Sequence, residues 1–239
     1  MTKQAPVAWR PMGRHTAVFK RVVFHTAVLA LVALLAASCG DDSSADSSPP
    51  VTTEDGGVTG AIELCAGEST TEPELLEVGV ISELPDNGND HVFCPSYEQR
   101  PPASGDHFDA WQNCGFYSSP VQDQTAVHAL EHGAVWIAFS PDLSAEEIDA
   151  IAGRIEGEEH LLAAPYPGLK NSIVMTAWTR QVALDGVQDP LFEEFIGTYL
   201  ARRSPTAPEA GVSCAGAIGS SPGDPDAGFE AILEQVLDR

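Results

Sequence analysis

Residues 127–139, Val-His-Ala-Leu-Glu-His-Gly-Ala-Val-Trp-Ile-Ala-Phe, decide the fold that this chain is expected to adopt. Asp123 or Thr125 can cap a short helix that runs to about His132, and Gly133 can end that helix. The apolar run that follows predicts a buried strand, because it combines β-branched and aromatic residues without a charge. The segment therefore predicts a helix that turns directly into the core of a sheet.

Further regular elements are predicted downstream of this segment. Ser144 and Glu147 form a capping box, and the helix that they open carries isoleucines at helical spacing. Apolar runs predict strands at 161–164 and 173–182. An Asp-Pro pair at 189–190 supplies a cap and a first-turn proline, and so predicts the start of another helix.

The order of these elements predicts the α+β fold class. We expect a small, mostly antiparallel sheet with helices on one face. A long loop region at 86–123 precedes it, rich in turn residues and stapled by disulfides. A last helix at 229–237 carries one apolar stripe, which indicates packing on the domain or docking of a partner.

The chain divides into a leader, a tether and one folded domain. Residues 1–38 combine basic residues with a short apolar run, which is typical of a signal peptide. Residues 39–60 are rich in Ser, Asp, Thr, Gly and Pro and predict a flexible tether. We expect a single α+β domain at 61–215, followed by a C-terminal turn region and short helix at 216–239.

Small residues directly before Cys39 resemble a bacterial lipobox. This resemblance predicts that Cys39 is lipidated and that the protein is anchored to the cell membrane on its extracytoplasmic side. A plain secreted or periplasmic protein, cleaved near Ser38, is the alternative.

The charge of the chain excludes one class of partner. Five basic residues and no acidic residue lie within 1–38, so removal of this segment lowers the formal charge from −23 to −28. A surface this negative repels phosphate backbones, so we exclude nucleic-acid binding.

Four cysteines remain when Cys39 is set aside: Cys65, Cys94, Cys114 and Cys214. An even number in an exported chain predicts two disulfides, for which three connectivities exist. We expect Cys94 to pair with Cys114 first, because these two flank a proline-rich loop.

Four histidines form a candidate metal site. His91 and His107 lie in the loop region, whereas His128 and His132 stand four positions apart on one face of the predicted helix. Imidazole ligands suit zinc or copper better than calcium or magnesium, which prefer oxygen. We expect His107, His128 and His132 to bind one transition metal, with His91 as the fourth ligand.

Two other interpretations of the helix motif stay open. The histidines could be structural, bonding backbone carbonyls or carboxylates while Leu130 packs in the core. The spacing His-x-x-Glu-His at 128–132 also matches the inverzincin motif, in which Glu131 would be a general base beside a zinc-bound water. Gly133 and a strand follow at once, however, and this disfavours the long helix of that motif. Catalysis and catalytic residues remain open.

Three motifs in a fixed order carry a resemblance to a known family. Residues 101–107 (Pro-Pro-Ala-Ser-Gly-Asp-His), 128–133 (His-Ala-Leu-Glu-His-Gly) and 176–178 (Thr-Ala-Trp) resemble the bacterial domain-of-unknown-function family thirty-one-oh-five. The resemblance runs from about His91 to Tyr199. It implies an exported or membrane-anchored protein of a family without an established activity, and it groups the four histidines together.

The sequence thus predicts an exported, lipid-anchored protein with a histidine-rich site for one transition metal. The alternative is a non-catalytic accessory or binding module of an envelope complex, in which the histidines are structural. The expected partners are the membrane, through the lipid, and an envelope protein.

Overall fold

Six strands form one β-sheet in the computed structural model, which describes residues 71–238. The predicted leader 1–38, the tether 39–60 with Cys39, and Cys65 lie outside the described residues. The strands are β1 (Ser82–Glu83), β2 (Gly115–Phe116), β3 (Val135–Phe139), β4 (Leu161–Pro165), β5 (Ile173–Ala177) and β6 (Arg180–Leu184).

Four α-helices accompany the sheet in the described part of the chain. They are α1 (Asp123–Glu131), α2 (Ala145–Ile155), α3 (Pro190–Tyr199) and α4 (Phe229–Leu237), with a 3-10 turn at Ala201–Arg203. The side chain of Ser144 accepts the Glu147 N–H at 3.3 Å, and that of Asp189 accepts the Leu191 N–H at 2.9 Å, as the caps predict. None of the described helices has the length and apolar character needed to cross a bilayer.

The sheet is mixed, with the strand order β1-β6-β5-β3-β4-β2. Three neighbouring pairs are antiparallel, whereas β3–β4 and β4–β2 are parallel. The expectation of a mostly antiparallel sheet is therefore wrong for the half that holds β4. Helix α2 connects β3 to β4, and a crossover of this kind lets two successive strands run in the same direction.

The two faces of the sheet are both covered, which corrects the expectation of helices on one face. Val135 and Ile137 of β3 pack with α2 and α3 in one buried cluster. Trp136 and Ala138, which point the other way, pack with α1 and with Trp178 in a second cluster. Successive strand residues face opposite sides, so β3 is buried on both.

The predicted strand 173–182 is two strands joined by a tight turn at Trp178 and Thr179. Thr179 has φ +59°, a backbone conformation that β-branched residues rarely adopt. Long-range contacts hold it there: its N–H donates to the Ala103 carbonyl at 2.8 Å, and its own carbonyl accepts the Leu84 N–H at 3.0 Å. The turn is fixed by its neighbours in space and lacks the Gly, Asn or Asp signal of a hairpin.

A disulfide joins Cys114 to Cys214, with 5.4 Å between their Cα atoms. The expected pairing of Cys94 with Cys114 is therefore wrong, and Cys94 forms a different disulfide. The Cys114 N–H also donates to the Cys214 carbonyl at 2.8 Å. The bridge closes a loop of 100 residues, so proximity along the chain gave no indication of it.

Helix α4 packs on the loop region. Phe229 and Leu233 are buried against Phe108, Ala110 and Ile218, whereas Leu237 is 61% exposed. The apolar stripe of the last helix thus covers part of the loop that carries His107.

Gly133 is required where α1 turns into β3. Its φ is +91°, and a Cβ at this position would lie 2.8 Å from the Ala201 carbonyl oxygen.

Gly133→Ala should therefore lower the free energy of unfolding by about 1–3 kcal/mol in urea titrations. The matched control is Gly153→Ala in α2, where a Cβ meets no heavy atom within 4 Å. That variant should be about 0.5–1 kcal/mol more stable than wild type. Equal stabilities of the two variants would contradict the assignment.

Candidate metal centre

Four side chains from three segments converge at one end of α1. His91, His107, His128 and Glu131 each offer one ligand atom, and these atoms all lie within 4.8 Å of one another. His107, His128 and Glu131 are buried, whereas the side chain of His91 reaches the surface.

Helix α1 positions two of these groups. His128 and Glu131 stand three residues apart, so they lie on the same face of the helix. The other face of α1 packs on the sheet. Its residues Ala126, Ala129 and Leu130 are buried in the cluster around Trp136. The packing of α1 on the sheet therefore fixes the direction in which its polar face points.

The loop region positions the other two histidines. His91 and His107 lie on short parallel segments, where the Val92 N–H donates to the His107 carbonyl at 2.8 Å and the His107 N–H donates to the Asp90 carbonyl at 3.0 Å. Gly105 turns the chain just before His107 with φ +124°. The loop is thus built as a small paired structure, in spite of its turn-rich sequence.

The outer ring nitrogen of each histidine in the cluster is held by the protein. His107 Nδ1 lies 2.9 Å from the Gly105 carbonyl oxygen, and His128 Nδ1 lies 2.8 Å from that of Phe108. His91 Nδ1 lies 3.0 Å from Asp109 Oδ1. Carbonyl and carboxylate oxygens only accept hydrogen bonds, so each Nδ1 carries a proton and each Nε2 remains for the centre of the cluster.

The Glu131 carboxylate lies between polar partners from the loop. Asn89 Nδ2 donates to Oε1 at 2.6 Å, and Oε2 lies 3.1 Å from His107 Nε2 and 4.0 Å from His91 Nε2. A carboxylate and an unprotonated Nε2 both present lone pairs. Their close approach therefore requires either a second proton on His107 or a cation between the two groups.

Burial and charge shift the pKa values of both helix residues. Burial, with the neighbouring histidines, lowers the pKa of His128 to about 4, against the opposing hydrogen bond to Phe108. Burial alone would raise the pKa of Glu131, but the close contacts with His107 and Asn89 outweigh it and lower the pKa to about 2. Near neutral pH the site therefore holds a neutral His128 and an ionised Glu131.

His132, which the sequence groups with the other histidines, lies outside this cluster. Its Nδ1 is bonded to the Ser213 carbonyl oxygen at 2.9 Å, and its Nε2 lies 3.5 Å from Glu209 Oε2. Its ring packs against Trp111, with 4.8 Å between the ring centroids. Burial lowers the pKa of His132, and both of its nitrogens face the segment after α3.

The sequence analysis missed the places of three residues at this candidate centre. They are Glu131, a candidate ligand, Asn89, which donates to Glu131, and Asp109, which holds the His91 ring. The spacing of His128 and Glu131 was a usable signal, because positions i and i+3 share a helix face as closely as positions i and i+4 do. Asn89 and Asp109 gave no such signal, since their roles depend on how the loop folds over the helix.

The low pKa of His128 predicts a loss of stability in acid when the protein is kept metal-free with a chelator. An unfolded histidine takes up its proton near pH 6.5, whereas folded His128 stays neutral to about pH 4. Protonation therefore favours the unfolded chain, and stability should fall by up to about 3 kcal/mol as the pH drops from 6.5 to 4. Urea titrations at several pH values measure this change.

Two variants test whether His128 causes the acid sensitivity. His128→Asn should reduce the change in unfolding free energy between pH 6.5 and 4. His160→Asn should leave it as in wild type, because His160 is bonded to the Val212 carbonyl away from the cluster. An undiminished change in the His128→Asn protein would contradict the assignment.

The comparison with known proteins identifies the family and no activity. A family model described as a protein of unknown function (DUF3105) matches residues 94–216, a segment that contains His107, His128 and Glu131 and begins just after His91. No curated protein and no solved structure matches the chain. The match covers just over half of the chain and confirms the resemblance carried by the three motifs: the protein belongs to the DUF3105 family.

Proposed function

We propose that this protein binds one transition-metal ion, zinc or copper, through His91, His107, His128 and Glu131. The observation that carries the proposal is the anchoring of all three outer Nδ1 atoms by protein oxygens. Metal-binding histidines characteristically donate their second ring N–H to a carbonyl or carboxylate, which fixes the ring and the tautomer. The three rings are therefore oriented as ligands before an ion arrives.

The distances in the cluster support the same proposal. Ligand atoms at about 2.0–2.2 Å from a tetrahedral ion lie roughly 3.3–3.6 Å from one another. His107 Nε2 and Glu131 Oε2 are 3.1 Å apart, and His91 Nε2 and Glu131 Oε2 are 4.0 Å apart. These two separations bracket the required values. All four ligand atoms lie within 4.8 Å of one another, so the wider pairs have to shorten when an ion binds.

The charge balance favours a divalent cation. Glu131 brings a buried negative charge to the cluster. When the neighbouring His107 is neutral, the lone pair on its Nε2 points toward this carboxylate. A cation between them satisfies both groups without a second proton. Imidazole nitrogens together with a carboxylate suit zinc and copper, whereas calcium and magnesium need mostly oxygen.

The location of the protein belongs to the same proposal. We infer an extracytoplasmic protein that is anchored to the cell membrane through a lipid on Cys39. The disulfide between Cys114 and Cys214 supports export, because such bonds persist in oxidising compartments. An envelope protein is the proposed partner. A module of an envelope complex with purely structural histidines is the alternative that the metal experiment below distinguishes.

Metal content is the first test of the binding proposal. Protein from cells that express the full chain, purified without chelator, should contain about one equivalent of zinc or copper by inductively coupled plasma mass spectrometry. Glu131→Gln keeps the size of the side chain but removes its charge, and should lower the affinity at least about tenfold. A His107→Asn/His128→Asn double variant should lose the ion.

Two histidines outside the cluster provide matched controls for this measurement. His132→Asn and His160→Asn should retain the ion. Both nitrogens of His132 face Ser213 and Glu209, and Nε2 of His160 is bonded to the Val212 carbonyl. Loss of metal from His132→Asn alone would contradict the ligand set. Wild-type protein that takes up neither zinc nor copper would contradict the proposal and return the histidines to a structural role.

Lipid attachment is tested by feeding labelled palmitate to cells that express the full chain. Label should enter wild-type protein and be absent from Cys39→Ser, since the thiol is the acceptor. Ser38→Ala keeps a small residue before the cysteine and should be labelled like wild type. Label that persists in Cys39→Ser would overturn the anchor.

A further inference from the structure

The four groups of the metal centre differ in their access to solvent. His107 is fully buried, and His128 and the side chain of Glu131 are each 4% exposed. The side chain of His91, in contrast, is 45% exposed. A molecule that arrives from solution therefore meets His91 before any other ligand group.

The backbone of His91 is fixed while its ring is held by side chains. The neighbouring Val92 N–H is bonded to the His107 carbonyl, which secures the segment. The ring stacks on that of His128, with 4.8 Å between centroids and 24° between planes, and it bonds to Asp109. Departure of the ring from the cluster would therefore require a rotation of the side chain and no movement of the loop backbone.

A cleft of ≈ 320 Å³ opens beside this ring. It is lined by His91, Val92, Phe93, Phe108, Asp109 and Val236. Among the described residues, His91 is the one that belongs both to the metal cluster and to this cleft. Rotation of His91 out of the cluster would therefore connect the ion with the cleft directly.

We infer that His91 holds the exchangeable position of the metal centre, and that a small neutral molecule with a nitrogen donor and a flat apolar group takes this position from the cleft. The inference rests on the proposed function, because it requires the ion. His107, His128 and Glu131 keep the ion in place during the exchange.

The lining of the cleft defines the class of molecule. Phe93, Phe108 and Val236 offer apolar surface, and the two phenyl rings meet edge to face with 6.1 Å between their centroids. A flat apolar group gains free energy by leaving water for such a surface. The cleft volume lies at the lower end of the range typical of small-molecule sites.

Charge selects a neutral donor over an anion. Asp109 lines the cleft, Glu131 lies at the ion, and the whole chain has a formal charge of −23. Asp109 and the negative charge of the chain would repel an anionic ligand such as azide as it approaches through the cleft, although azide is a good ligand for copper in water. An imidazole or pyridine nitrogen binds the ion without adding negative charge.

The experiment uses Cu²⁺-loaded protein purified from cells that express the full chain, because the visible absorption of Cu²⁺ reports a change of ligand. Imidazole, 4-phenylimidazole and azide are titrated separately. We expect 4-phenylimidazole to bind about tenfold more tightly than imidazole, and azide to bind more weakly than either. His91→Ala has lost one of the four ligands, so it is kept saturated with added Cu²⁺. Both imidazoles should then bind at least about tenfold more tightly than in wild type, since no ring competes.

Two neighbouring residues of α4 provide the matched test of the cleft. Val236→Trp should fill the cleft and abolish the preference for 4-phenylimidazole, while metal content stays at the wild-type value. Leu237, one residue further, is 61% exposed and does not line the cleft, so Leu237→Trp should bind all three probes like wild type. Val236→Ala enlarges the cleft and should retain the preference for 4-phenylimidazole. This variant replaces Val236→Trp in the test if the tryptophan unfolds α4.

The outcomes separate this inference from the proposed function. A wild-type protein that binds no Cu²⁺ contradicts the proposed function and the inference together. A protein that binds Cu²⁺ but shows equal probe affinities in wild type and His91→Ala contradicts the inference alone. The same conclusion follows if azide binds most tightly, or if Val236→Trp and Leu237→Trp behave alike.

Discussion

The buried carboxylate of Glu131 is the charge on which the arrangement of this protein depends. A carboxylate that is taken out of water costs several kcal/mol unless it gains hydrogen bonds or a counter-charge. Asn89 and His107 supply those contacts, and both come from the long loop region. The loop therefore has to fold over the end of α1 to satisfy this group, which explains why a segment with so little regular structure follows a defined path.

Main-chain carbonyl oxygens orient two of the three histidine rings in the site. The carbonyls of Gly105 and Phe108 hold the rings of His107 and His128, and only His91 depends on a side chain, that of Asp109. The position of a backbone acceptor depends on the path of the loop and does not depend on which side chain the residue carries. The loop thus supplies two of the four groups and all of the outer acceptors, whereas α1 supplies a rigid base for the other two.

The local elements of the fold were predictable, and their long-range arrangement was not. The caps at Ser144 and Asp189, apolar periodicity and a glycine place the helices and most strands close to their observed bounds, because these signals act within a few residues. The cap expected for α1 at Asp123 or Thr125 is wrong, since Gln122 takes that position without a side-chain hydrogen bond. The reversal at Thr179 and the parallel pairing of β4 with β3 gave no comparable signal. The contacts that hold Thr179 come from Ala103 and Leu84, which are distant in the chain.

For the candidate site, the sequence by itself determined the family, the change from helix to strand within 127–139, and the grouping of the histidines with this segment. The tertiary structure decided that Glu131, and not His132, faces His91 and His107. Both residues follow His128 at a spacing that shares its helix face, so local geometry could not choose between them. The choice depends on the chain after α3, whose Ser213 carbonyl binds the His132 ring. Contacts between residues remote in sequence arise only when the whole core packs, which is why the tertiary structure alone contains them.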